Sequence, residues 1–257
     1  ETMKYRKYRA RLITDKFPNI KVVFLEKDVR RSSTSFLAKQ ILAQRDYSKI
    51  KGIAYKANGS VVVNEKRALA SDVDAIANPA REKLFEKELC PPSVFHMVYT
   101  SRGCPFRCGF CYNISFFGMS KFRGWSPIKT IEETKKVLEW GVNFVNFDDD
   151  YIFGDPLRMW KILDLKKQEG LDFEWKAPIR GHLLRDSLTK RIKDGGCSSV
   201  TIGAESGSFE VLDYMTKDSG PDAYYMAAKN LKKYDIHGNF SWILGYPGET
   251  LKDVYTT

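Results

Sequence analysis

The sequence predicts an α/β fold whose centre is a parallel sheet rolled into a barrel or part of one, over residues 94–257. Three observations predict it. From Ser126 onward, short runs rich in aromatic and β-branched residues alternate with capped amphipathic helices, the pattern of consecutive βα units. The runs start about 30 to 40 residues apart, the length of a βα unit whose right-handed crossover keeps neighbouring strands parallel. A cluster of polar or metal-ligating residues follows each run, and folds of this kind place their active sites at the carboxyl ends of the strands.

Residues 1–93 have another character. "NIKVVFLEKD" reads as a strand, "STSFLAKQILAQ" as a helix capped by Ser or Thr, and "KGIAYKANGSVVVNEKRA" as a β-hairpin turning at Asn58-Gly59. Residues 51–93 are thus a hairpin and a linker, the linker carrying Pro79, Pro91 and Pro92. "VFHMVYT", at 94–100, is the first barrel strand, and "TSRGCPFRCGFCYN" follows it. "SPIKTIEETKKVLEWG" then has Ser126 as N-cap, Pro127 at the first helical position and Gly141 as the stop; "GDPLRMWKILDLKKQEG" repeats the design with Asp155, Pro156 and Gly170. "VNFVNF", "LDFEWKAPI", "SSVTIGAE" and "GNFSWILGY" supply strands two to five. Behind them stand "DDD", Arg180, "ESGS" and "PGET" in turn.

With 257 residues and 43% apolar composition the chain has ample material for one large core. No apolar run approaches the roughly 20 residues that span a bilayer, and the start lacks the basic-then-apolar order of a secretory signal, so a cytoplasmic protein is expected. The net charge of +10, much of it in the first eleven residues, suits a solvated basic surface, or a nucleic-acid or polyanionic partner. No arginine-rich or RNA-binding signature accompanies it. Opening at Glu1 and stopping at "DVYTT", the chain reads as a fragment.

Three of the five cysteines, Cys104, Cys108 and Cys111, fall within eight residues. That is too uneven for a disulfide framework and points to metal or redox chemistry. A structural zinc site takes four ligands, commonly as paired C-x2-C or C-x2-C with two histidines. Here Cys90, Cys197, His96, His182 and His237 are scattered, so zinc would need a distant fourth ligand. An iron-sulfur cubane on three thiolates suits the spacing better and leaves one iron without a protein ligand, free for substrate.

These residues carry a family resemblance. C-x3-C-x2-C with Phe110 before the last cysteine resembles the cluster loop of radical S-adenosylmethionine (SAM) enzymes, and "TSRGCPFRCGFC" is similar to the wording of their cobalamin-binding subgroup. "FDDDYIFGD" resembles that subgroup's F-x-D-D-x-F segment, "GCSSVTIGAESGSFEVLDYMTK" its segment ending in G-x-E-S-G, and "ILGYPGET" its G-x-P-G-E-T, so that the likeness covers about Tyr99 to Thr250. It implies a partial parallel (β/α) barrel of the radical SAM type, truncated at its C-terminal side. "IKVVFLEKDVRRSSTSFLAKQIL" followed by "DYSKIKGIAYKANGSVVV" is similar to the last strand and helix of the subgroup's cobalamin-binding domain and the hairpin that links it to the barrel, so residues 1–50 would be the remnant of that α/β, Rossmann-like domain, a piece too small to enclose a corrin alone.

The resemblance also implies the chemistry. Cys104, Cys108 and Cys111 would hold a 4Fe–4S cluster whose open iron SAM chelates, and reductive cleavage would give methionine and a hydrogen-abstracting 5′-deoxyadenosyl radical. Phe110 and Tyr112 would pack near cluster and adenine, or belong to the core. Arg180 would pair with the SAM carboxylate, or make a surface salt bridge. Glu205 and Ser206 would reach SAM polar groups. Asp149 and Asp150 match the acidic pair, with Tyr151 where Asn is common. Gly245, Pro247 and Gly248 would let backbone approach a ligand, or only turn the chain. The implied partners are a small-molecule substrate and a reductant such as flavodoxin or ferredoxin, with cobalamin for the full-length protein. Methyl transfer or cyclisation is the leading reaction type; RNA methylthiolation and a non-catalytic iron-sulfur or zinc protein are the alternatives.

Overall fold

A computed structural model describes residues 46–66, 68–78, 96–113 and 121–257 and the backbone of 22–24. The predicted helix at "STSFLAKQILAQ" and most of the linker fall outside the described residues. By backbone proximity the chain forms two units, Glu1–Ala77 with Tyr112–Gly118, and Asn78–Cys111 with Met119–Thr257.

In the first unit β1 (Val22–Phe24), β2 (Ile53–Ala57) and β3 (Ser60–Val63) form an antiparallel sheet in that order. The β2–β3 turn falls at Asn58-Gly59, as the sequence predicts. Both residues take positive φ, +49° and +74°, which the two-residue hairpin turn demands and Asn-Gly tolerates. Buried Ile50 and Ile53 pack with Tyr47 and Tyr55, whose rings meet edge to face at 5.6 Å.

The second unit holds a five-stranded parallel sheet made of β4 (Met97–Val98), β7 (Phe144–Phe147), β8 (Glu174–Pro178), β9 (Cys197–Glu205) and β10 (His237–Trp242). Their spatial order is that of the chain, as the βα spacing predicts. A two-stranded antiparallel ribbon, β5 (Ser101–Arg102) with β6 (Arg123–Gly124), branches off after β4. The crossovers carry helices α1 (Pro127–Leu138), α2 (Pro156–Gln168), α3 (Asp186–Asp194), α4 (Phe209–Tyr214) and α5 (Pro221–Lys233), and α6 (Leu251–Thr256) follows β10. Ser126 caps α1 by accepting from Lys129 N–H, Asp155 caps α2 by accepting from Arg158 N–H, and Gly141 and Gly170 take the left-handed φ that ends each helical segment.

β7, β8 and β9 lie inside the sheet and are covered by helices, so Val145, Phe147, Trp175, Ala177, Val200, Ile202 and Ala204 are almost fully buried. Among the described residues no helix is long and apolar enough to cross a membrane.

Candidate functional site

The cysteine loop is pinned at its two feet. The β5–β6 ribbon joins residues 101–102 to 123–124, and Trp125 N–H donates to the Thr100 carbonyl at 2.8 Å. Beneath them lies Arg158 of α2, a buried arginine whose Nε donates to Trp125 O at 2.5 Å and whose Nη2 donates to Thr100 O at 2.9 Å. Asp149 grips the same stretch from the end of β7. Fully buried, it accepts from Thr100 N at 2.6 Å, Thr100 Oγ1 at 2.5 Å and Ser101 N at 2.8 Å. Burial pushes its carboxyl above the usual range, against the pull of these donors and of Arg158. Between the feet, Gly109 N–H donates to Met215 O at 2.8 Å, at the end of α4, and ties the loop to the β9 side.

These ties hold the loop over the carboxyl ends of β7, β8 and β9, where one cleft is lined by Cys104, Cys108 and Cys111 with Phe110 from the loop. Asp150 and Tyr151 line it after β7, the segment Pro178–Gly181 at the end of β8, and Thr201, Gly203 and Glu205 on β9. Lys217, Ser219 and Tyr224 complete it. None of the three forms a disulfide, and Cys108 is buried. Burial raises the Cys104 thiol, as do the neighbouring Cys111 and Cys108, while a Phe106 backbone N–H and the Arg180 charge pull it down.

Arg180 enters from the end of β8. Its guanidinium lies over the Phe106 ring, Cζ 3.7 Å from the centroid, donates from Nη2 to Asp218 O at 3.1 Å, and directs Nη1 at Cys108 Sγ at 3.9 Å. It makes no ion pair with a carboxylate among the described residues, and its Nε–H is buried there without a partner. The Ser219 hydroxyl is likewise buried and unpartnered in the cleft. Opposite stands Glu205, whose Oε1 accepts from Lys217 Nζ at 3.1 Å. Glu205 takes φ +69°, which is uncommon outside glycine and marks a residue its surroundings hold in place.

Over residues 98–257 the sequence matches the Radical SAM superfamily. The chain belongs to the radical SAM superfamily. It is 36% identical over 215 residues to an uncharacterized methyltransferase of Pyrococcus horikoshii, which covers 83% of this chain and 47% of that protein. Its fold is similar to the cobalamin-dependent SAM radical enzyme OxsB, TM-score 0.77 at 17% identity, over 98% of this chain and 37% of that one. It is also similar to the radical SAM methyltransferase TsrM of Kitasatospora setae, TM-score 0.75 at 14% identity, over 98% of this chain and 50% of that one. The chain thus spans about half the length of the P. horikoshii relative or less than that of OxsB.

Radical SAM membership implies a 4Fe–4S cluster and SAM, and the donor set fits them. Among the described residues no three His, Cys, Asp or Glu side chains are arranged to hold a single metal ion. A cubane asks for something different, because it sets each thiolate on its own iron rather than gathering all on one. Three thiols outside any disulfide, lining one cleft with the Arg180 guanidinium and the unpartnered Ser219 hydroxyl, meet that demand.

The cleft brings together Cys104, Cys108, Cys111, Phe110, Asp150, Arg180 and Glu205 of the sequence-derived site residues. It does not take in the others. Tyr112 is half exposed and groups with the first unit. Asp149 faces the foot of the loop, and its neighbour Asp150 lines the cleft instead. Ser206 turns away, its buried hydroxyl bonded to Thr257 Oγ1 at 2.9 Å and to Ser208 N–H at 3.1 Å. Gly245 and Pro247 lie in an exposed turn that Glu249 closes by accepting from the Gly245 and Tyr246 N–H groups. Sequence reasoning missed Thr201, Gly203, Lys217, Ser219 and Tyr224. Thr201 and Gly203 had a signal, since they share the face of β9 with Glu205 at a period of two.

Proposed function

We propose that this chain is the SAM-cleaving part of a biosynthetic radical enzyme, with methyl transfer as its reaction type. One observation carries the reading: the three thiols of the C-x3-C-x2-C loop line the same strand-end cleft as Arg180 and Glu205. Cys104, Cys108 and Cys111 would hold the cluster. Bound to it, SAM supplies a 5′-deoxyadenosyl radical on reduction.

The chain's own residues bind and orient. The Arg180 fork, through its unpartnered Nε–H, is matched to the SAM carboxylate, and the Ser219 hydroxyl to a second polar group of the cofactor. Glu205, held by Lys217, presents its remaining acceptor capacity to an ammonium or hydroxyl. Phe110 lines the cleft beside Lys217, whose Nζ stands 5.6 Å from the ring centroid. With the cofactor seated these side chains exclude water, which strengthens each polar contact and protects a radical from quenching.

The P. horikoshii relative, named a methyltransferase, supports methyl transfer over cyclisation. OxsB is a cobalamin-dependent enzyme and the TsrM structure holds cobalamin, which supports cobalamin as a second cofactor of the full-length protein. A small-molecule substrate, a flavodoxin or ferredoxin as electron donor and a cytoplasmic setting complete the reading. The test is to incubate the reconstituted full-length protein with SAM and a low-potential reductant. Methionine and 5′-deoxyadenosine should form, and should be absent with Cys108→Ala. A full cluster complement with no cleavage of SAM in any condition would overturn the proposal.

A further inference from the structure

Arg180 is held in a way that a cofactor clamp alone does not require. Its Cζ lies over the Phe106 ring, 3.7 Å from the centroid, that ring is edge-to-face with Tyr151 at 5.1 Å, and Arg180 Nη2 donates to the Asp218 carbonyl. So positioned, Nη1 reaches the Cys108 sulfur at 3.9 Å, the outer limit of a hydrogen bond to sulfur. No carboxylate among the described residues forms an ion pair with the guanidinium.

An iron-sulfur cluster gains one negative charge on reduction, and its potential follows net charge, hydrogen bonds to the sulfurs and exposure to solvent. Outer-shell groups set these conditions as much as the ligands do. We infer that Arg180, docked on Phe106 and directed at Cys108, raises the reduction potential of the cluster and so eases entry of the single electron from an external donor. No bond forms or breaks in that step, and the guanidinium stays protonated throughout. The inference rests on the proposal that Cys104, Cys108 and Cys111 hold a 4Fe–4S cluster. It assigns Arg180 a role that operates before SAM binds, through Nη1, and leaves the Nε–H side for the cofactor.

The test is redox titration of the reconstituted full-length protein in the absence of SAM, followed by the electron-spin-resonance signal of the reduced cluster. Arg180→Gln should lower the equilibrium constant for reduction about tenfold, a midpoint about 59 mV more negative for a one-electron couple. Arg180→Lys, which keeps the charge, should fall by less than half of that. Phe106→Leu, which removes the surface holding the guanidinium, should lie between wild type and Arg180→Gln. Should Arg180→Gln fail to assemble a cluster, Phe106→Leu decides: a lowered potential supports the inference, an unchanged one overturns it. A complete cluster in Arg180→Gln with the wild-type midpoint overturns it too, whatever happens to SAM affinity. A wild-type protein that assembles no four-iron cluster overturns this inference and the functional proposal together.

Discussion

Lys217 Nζ and Glu205 Oε1 form a 3.1 Å ion pair in the cleft, with the two side chains only 9% and 10% exposed. Such a pair is poorly replaced one partner at a time, because removal of either leaves a buried charge without compensation. Lys217→Met should therefore destabilise the protein by about 3 to 5 kcal/mol. Lys217→Met combined with Glu205→Gln should recover most of the loss. Chemical denaturation of the two variants measures the difference; equal stability of both would show that the pair does not act as a unit.

Gly203 faces that pair from β9. A Cβ there would run into the Glu205 carboxylate and stand 3.0 Å from Lys217 Nζ. Gly203→Ala should displace Glu205 and weaken SAM binding by about tenfold or more, the loss of one charged hydrogen bond. Iron content should stay at the wild-type level. Titration of SAM against the reduced-cluster signal, alongside metal analysis, separates the two effects.

Asp149 acts on the foundation of the loop instead. Asp149→Ala leaves the N–H groups of Thr100 and Ser101 buried without their acceptor, at about 1 to 3 kcal/mol each. Thermal stability and the yield of reconstituted cluster should fall together, since the first foot of the cysteine loop is loosened. The pH dependence has a definite sign. Burial raises the folded-state pKa of Asp149 above its unfolded value, so its contribution to stability is fully present below the unfolded pKa and is lost as pH rises through the folded one. Wild-type stability minus that of the non-titrating Asp149→Asn should thus be larger at pH 4 than at pH 7, as read by urea denaturation at the two values.

Much of this architecture is legible in the sequence for local reasons. Ser126 and Asp155 announce helix starts because a short oxygen-bearing side chain followed by Pro suits little else, and both do cap helices. Short β-rich runs at βα spacing leave a parallel sheet as the simple solution, and the strands lie in chain order. The acidic run 148–150 was harder. Past the end of β7 the alternation of faces no longer applies, and the three carboxylates part: Asp148 accepts from Tyr99 Oη at 2.7 Å, Asp149 grips Thr100, and Asp150 lines the cleft. Lys217 folds back from beyond α4, and no local pattern foretells that. Arg158 sits where a helix would ordinarily show a solvated charge, yet it is buried and donates to the Thr100 and Trp125 carbonyls at the foot of the loop.

Cys104, Cys108 and Cys111, and no other cysteine, should hold a four-iron cluster with one iron open to SAM. The direct measurement is iron and sulfide content, with the electron-spin-resonance spectrum of the reduced protein before and after SAM is added, on the anaerobically reconstituted full-length protein and its single Cys→Ala variants. The wild type should hold one 4Fe–4S cluster whose signal changes with SAM. Cys197→Ala should match it, because that thiol is a buried strand residue pushed up to about 12 and donating to the Ser199 carbonyl. Cys104→Ala, Cys108→Ala and Cys111→Ala should each lose the cluster. Tightly bound zinc with neither iron nor sulfide, or a complete cluster whose reduced signal SAM leaves unchanged, would contradict the claim.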